Sequence, residues 1–159
     1  MFQSFFTMAR WAIICLLPIW ALTAQAEGPI YTGGWFGGGA AIRGYDPVAY
    51  FTAGAPTKGD ASISHSHGGA DWHFSSMANR ELFIAHPEKY LPQYGGHCAY
   101  AMGSYNELVK VDPEVWAIVD GKLYLNYSNS VQSKWEAERA QLIRAADANW
   151  PQHLKAAER

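Results

Sequence analysis

The chain has 159 residues, with 12 Lys and Arg against 14 Asp and Glu and a formal net charge of −2. That balance, with no basic stripe, excludes a nucleic-acid partner. Its length fits one domain of ordinary size, able to bury a real core.

Residues 1–26 read as a secretory leader. Arg10 is the only charge before Glu27, and residues 11–22 form an apolar run broken once, by Pro18. Such a run is short for a hydrocarbon core of about 30 Å. Ala24-Gln25-Ala26 places small residues at the two positions a signal peptidase reads. The expected product begins at Glu27, is periplasmic or secreted, and has no transmembrane span. Cys15 leaves with the leader, so Cys98 is the single remaining thiol and no internal disulfide is expected. Residues 27–40 are glycine-rich and read as a flexible lead-in, with Trp35 and Phe36 expected to dock on the domain that follows. That domain is expected over residues 41–153, with structure starting at Ala41.

Asp46-Pro47 is a helix start, an acid at the cap followed by proline at the first helical position. The short helix through Val48, Tyr50 and Phe51 is expected to end before Gly54. Residues 63–74 read as a β-hairpin turning at Gly68-Gly69-Ala70. Ser75 or Ser76 is expected to cap a helix that Pro87 stops. Residues 88–94 read as a turn or short helix, and Gly95-Gly96 breaks the chain before one further helical turn over 97–102. Residues 108–111 read as a short strand, followed by an Asp112-Pro113 turn. Residues 115–119 and 122–127 form a second hairpin around Asp120-Gly121. Asn129 with Gln132 resembles a capping box. The last helix is expected to bury Val131, Trp135, Leu142 and Ile143, to run to about Ala146, and to be ended by Asn149-Trp150-Pro151. Two hairpins with several helices predict an α+β domain.

Ala41-Ile42-Arg43-Gly44-Tyr45-Asp46-Pro47-Val48-Ala49-Tyr50-Phe51 resembles the YHS-domain family, and within it the secreted bacterial branch, some of whose members carry selenocysteine. Trp72-His73-Phe74-Ser75-Ser76, Pro92-Gln93-Tyr94-Gly95-Gly96, Cys98-Ala99, Asp120-Gly121-Lys122-Leu123-Tyr124-Leu125-Asn126 and Asn149-Trp150-Pro151 extend the likeness over about residues 41–151. The resemblance implies a compact domain with a treble-clef-like hairpin-helix unit. Short YHS modules bind metal through cysteines after Asp-Pro-Val and within Phe-Cys-Ser. Here those positions hold Ala49 and Ser75, so that ligand pattern is absent and Trp72, Phe74 and Phe83 are expected to hold the unit by packing.

Cys98 lies in Gly95-Gly96-His97-Cys98-Ala99-Tyr100-Ala101-Met102, beside an imidazole and one helical turn from a thioether. Thiolate, thioether and imidazole are Cu(I) donors. The leading expectation is therefore a copper-type site drawing on Cys98, His97 and Met102, with His65 and His73 from the hairpin. Two hairpin registers are open. His67 opposite Trp72 puts His65 opposite Phe74 and turns His73 to the other face, whereas a register one residue along sets His65 opposite His73. The first alternative is a thiol-redox enzyme using Cys98, its pKa lowered at a helix N-terminus and beside His97. With no internal resolving cysteine, it would need a small external thiol. The second alternative is a structural or partner-binding module in which Cys98 is buried and inert.

Overall fold

The computed structural model describes residues 29–33 and 39–157. The expected leader, its cleavage site, Trp35 and Phe36 lie outside the described residues. The fold is α+β, with two antiparallel two-stranded sheets and six helices among the described residues. No helix among them is long and apolar enough to cross a membrane.

Structure starts before Ala41. The amide of Tyr31 donates to the Gly95 carbonyl at 2.8 Å, and the Tyr31 carbonyl accepts from Ile42 at 2.8 Å. Ile30 and Tyr31 pack against the core. Residues 29–33 are thus bonded to the domain. Tyr31 is held between two left-handed stretches, Ile42–Gly44 (φ 42, 58 and 75°) and residues 94–96 (φ 55, 61 and 82°).

Helix α1 (Ala49–Thr52) starts two residues later than expected, with Val48 and not Asp46 at its N-cap and Pro47 in the turn before it. Asp46 Oδ1 holds that turn by accepting from the amides of Val48 at 2.8 Å and Ala49 at 3.3 Å. Strands β1 (Asp60–His67) and β2 (Ala70–Phe74) form the first hairpin. Its register pairs His67 with Ala70, His65 with Trp72 and Ser64 with His73. Both expected registers are overturned, because they counted Ala70 into the turn. Gly68 and Gly69, at φ 63 and 77°, close it alone, as a two-residue turn with both positions left-handed requires.

Helix α2 (Met77–Ala85) is capped by Ser76, whose Oγ accepts from the Asn79 amide at 3.1 Å. It lays Phe83 on Trp72 and Phe74, with ring centroids 5.4 and 5.2 Å apart. All three rings are fully buried. The hairpin-helix unit is therefore packed by aromatic side chains, as expected. Pro87 opens α3 (Pro87–Tyr90) instead of merely ending α2.

After the left-handed stretch at 94–96 comes α4 (Ala99–Tyr105). Residues 108–111 form no strand, because the Val109 carbonyl is taken by the Cys98 amide at 3.0 Å. Strand β3 (Asp112–Val119) starts at the residues expected to turn. Asp112 Oδ1 accepts from the Glu114 amide at 3.0 Å, and the register with β4 (Lys122–Asn126) slips between Asp112 and Trp116. The local Asx bond has become a bulge inside the strand. Asp120 and Gly121, at φ 51 and 73°, make the expected tight turn.

The expected single C-terminal helix is two, α5 (Asn129–Ala137) and α6 (Arg139–Ala157). Ser128, not Asn129, caps α5, accepting from the Val131 amide at 3.4 Å. Gln132 is drawn away from any capping box by Asn126, whose Nδ2 donates to it at 2.6 Å. Pro151 lies inside α6 and does not end it. Contacts on both sides of the proline carry the helix through: Asn149 Nδ2 donates to the Met102 carbonyl at 2.8 Å, and His153 Nε2 meets Asn106 Oδ1 at 2.8 Å. Gly103 lets α4 approach α6 closely, since a β-carbon there would stand 2.5 Å from the Leu142 carbonyl oxygen. The core has two parts. One contains Trp72, Phe74, Phe83, Cys98 and Leu125, and the other Tyr94, Met102, Tyr124 and Trp135.

Candidate functional site

Gly95 and Gly96 both adopt positive φ. A β-carbon on Gly95 would overlap the Pro29 carbonyl oxygen, so this break is fitted to the N-terminal segment. The chain then returns to extended backbone at His97 (φ −76°, ψ 162°) and Cys98 (φ −58°, ψ 115°), and Cys98 stands at the N-cap of α4. Its thiol is 1% exposed and lies 3.5 Å from Asn126 Oδ1. Burial pushes the Cys98 thiol up, and the opposing amides of Ala101, Tyr127 and Tyr100 do not offset it. The expected lowering of its pKa at a helix terminus is thereby corrected: desolvation of the thiolate outweighs the local dipoles.

His97 turns the other way, as consecutive extended residues do. Its ring packs edge-on against Tyr31, with centroids 5.7 Å apart. Burial lowers its pKa. The Pro29 and Val109 carbonyls lie near the ring, but neither nitrogen reaches a hydrogen bond among the described residues. Met102 is fully buried in the second part of the core with Tyr124 and Trp135. Its amide donates to the Cys98 carbonyl at 3.0 Å, yet the two sulfur side chains belong to different core clusters.

His65 and His73 stand on opposite faces of the hairpin, since their cross-strand partners are Trp72 and Ser64. His65 lies instead with His67, ring centroids 6.4 Å apart, both against Phe83. His73 faces the Gly44 backbone, where a glycine β-carbon would stand 3.2 Å from its Nδ1. The five candidate ligands therefore do not converge. Among the described residues, no three His, Cys, Asp or Glu side chains gather as a metal would require.

Two buried polar residues organise the domain in ways the sequence did not reveal. Asp46 is fully buried, and its Oδ2 accepts from the Ser75 amide (2.8 Å), Ser75 Oγ (2.6 Å) and Asn79 Nδ2 (2.7 Å). One carboxylate thus ties the start of α1 to the end of β2 and to α2. The Asp-Pro signal found half of this role, but the half that reaches Ser75 and Asn79 exists only in the fold. Asn126 is fully buried too, its Oδ1 accepting from the Tyr100 amide at 3.0 Å and from the Cys98 thiol. No local pattern marks it.

No family model, curated protein or solved structure matches the chain.

Proposed function

We propose that this chain is an exported member of the secreted bacterial YHS-domain branch, and that it is a binding module in which Cys98 is a core residue, neither nucleophile nor metal ligand. The observation that carries this reading is the state of the thiol: 1% exposed, pushed toward its neutral form by burial, and paired with Asn126. A nucleophile or soft-metal ligand must be a thiolate that its target can reach. Family membership is supported by the Asp46-Pro47-Val48 and Trp72-His73-Phe74-Ser75 segments, which meet in the fold through Asp46 and Ser75. Export rests on the leader-like residues 1–26.

Copper binding is the second reading. What favours it is His97, a buried imidazole without a hydrogen-bond partner among the described residues, next in sequence to Cys98. Cu(I) competition against a chelator separates the two. The binding-module reading expects Cys98→Ser and wild type to compete alike. A folded Cys98→Ser with lost Cu(I) affinity supports the copper site instead. Sequencing the N-terminus of exported protein is expected to begin at Glu27, whereas an intact Met1 in a membrane fraction would contradict export by cleavage.

A further inference from the structure

Tyr94 stands at φ 55°, ψ 38°, the first of the three left-handed residues 94–96. Left-handed backbone is uncommon for a residue other than glycine. Such strain persists where the surrounding structure imposes it, and it clusters at functional sites. The glycine that follows is fitted to α6, since a β-carbon on Gly95 would stand 3.2 Å from the Trp150 ring. The stretch holds the Tyr94 ring between Trp150 and Tyr124, with centroids 6.1 and 6.0 Å away. Tyr124 in turn lies 5.4 Å from Trp135.

These four rings form one chain of contacts, because aromatic pairs touch at centroid separations of about 4.5–7 Å. Tyrosine and tryptophan are the aromatic side chains that give up one electron most readily, and an electron passes easily between rings in contact. Tyr94, Tyr124 and Trp135 are buried. Trp150 is half-buried among the described residues, so it is the member that a molecule in solution approaches.

What sets Tyr94 apart is its hydroxyl. It donates to Asp147 Oδ1 at 2.9 Å, and the Ile143 carbonyl lies further off at 3.5 Å. Joining two elements asks only for an acceptor, which a carbonyl supplies. A carboxylate is also a base. Asp147 is exposed, so a proton that reaches it can pass to water. Burial, with the carboxylate beside it, holds the hydroxyl as the neutral phenol. Such a group loses an electron without leaving a buried cation only if its proton departs too. Tyr45 also meets a carboxylate, donating to Glu114 at 3.1 Å. There, however, Lys58 Nζ stands 4.2 Å from the ring centre, and a cation in that place opposes loss of an electron.

We propose that Tyr94 is a one-electron redox site, oxidised through Trp150 by an outer-sphere oxidant in solution, with Asp147 as its proton acceptor. The oxidant takes one electron from Trp150, and Trp150 takes one from Tyr94. The Tyr94 O–H bond breaks as its proton passes to the Asp147 carboxylate. The products are the neutral Tyr94 phenoxyl radical, the Asp147 carboxylic acid and the oxidant reduced by one electron. The inference is independent of the fate of Cys98. It rests on the chain of rings and on the hydroxyl–carboxylate bond within it.

The test is flash-quench oxidation of the purified chain by photogenerated ruthenium(III) tris-bipyridine. The radical is followed by transient absorption, and by paramagnetic resonance after freezing. Wild type is expected to give a long-lived tyrosyl radical, since the buried ring cannot couple with a second molecule as exposed Tyr105 can. A folded Tyr94→Phe is expected to lose that radical and Tyr45→Phe to retain it. Asp147→Asn keeps an oxygen acceptor in the same place but no base. It is expected to slow radical formation about 100-fold, as removal of a positioned base does. Trp150→Phe keeps a ring that does not give up its electron, and it should slow formation as well. Should Tyr94→Phe fail to fold, Asp147→Asn carries the test, because its side chain is at the surface. Absence of the long-lived radical in wild type, its survival in a folded Tyr94→Phe or its loss in Tyr45→Phe overturns the proposal. So does formation in Asp147→Asn or Trp150→Phe as fast as in wild type.

Discussion

Gly96 lies so close to Ile42 that a β-carbon on the glycine would stand 2.7 Å from Ile42 Cγ2. The two residues belong to the two left-handed stretches that clasp Tyr31. Each stretch is unfavourable by itself, because left-handed backbone costs an L-residue about 1–2 kcal/mol. Together they bring the N-terminal segment, the lead to Cys98 and the Arg43 turn to one place.

Gly96→Ala is expected to destabilise by more than the left-handed backbone penalty of about 1–2 kcal/mol, because Ile42 is fully buried and cannot give way. Gly54→Ala is the control. It shares a positive φ of 63° but faces open space, so it should lose the backbone penalty alone. Equal shifts in denaturation midpoint for the two would contradict the close fit.

Asp46→Ala is expected to cost about 3 kcal/mol or more. It strands the amides of Val48 and Ser75 and the Asn79 side chain, and each orphaned donor is worth about 1–3 kcal/mol where buried. Urea unfolding measures this. A loss under about 1 kcal/mol would mean that water replaces the carboxylate.

Stability should fall on both sides of neutrality. Burial lowers the pKa of His97, so its contribution is full above the unfolded value of about 6.5 and is lost as pH falls from there. Burial raises the pKa of Cys98, Tyr50 and Tyr94. Their contributions are full below unfolded values of about 8.5 and 10 and are lost as pH rises from those values. Melting temperature against pH should plateau between about pH 6.5 and 8.5. His97→Gln should flatten the acid limb, and an acid limb unchanged in that variant would show that His97 is solvated.

Pro151→Ala should stabilise. The residue is exposed and lies inside α6, where proline removes one helical hydrogen bond and crowds the preceding turn, a handicap of up to about 3 kcal/mol. A gain of about 1 kcal/mol or more in urea unfolding is expected. A loss would mean that the proline bend is needed to seat Trp150 on Tyr94.

Local signals carried most of the fold. The helix start after Asp46-Pro47, the Asp120-Gly121 turn and the aromatic packing of Trp72 could be read because each depends on neighbours in sequence or on burial of a large ring. Where the reading failed, a distant partner decided. Residues 108–111 lost their strand to the Cys98 amide, Gln132 left its capping box for Asn126, and Pro151 was overridden by contacts from α4. The candidate site failed for a related reason. Adjacency in sequence put His97 and Cys98 together, but extended backbone turns them to Tyr31 and Asn126.

The central claim, that Cys98 is core, is tested most directly by its alkylation rate in native protein at neutral pH over a series of urea concentrations. A buried thiol reacts only through opening of the structure, so the rate should be far below that of the unfolded chain and should rise in step with the unfolding equilibrium. Fast alkylation without urea, insensitive to urea below the unfolding transition, would contradict the account and return Cys98 to the candidates for chemistry.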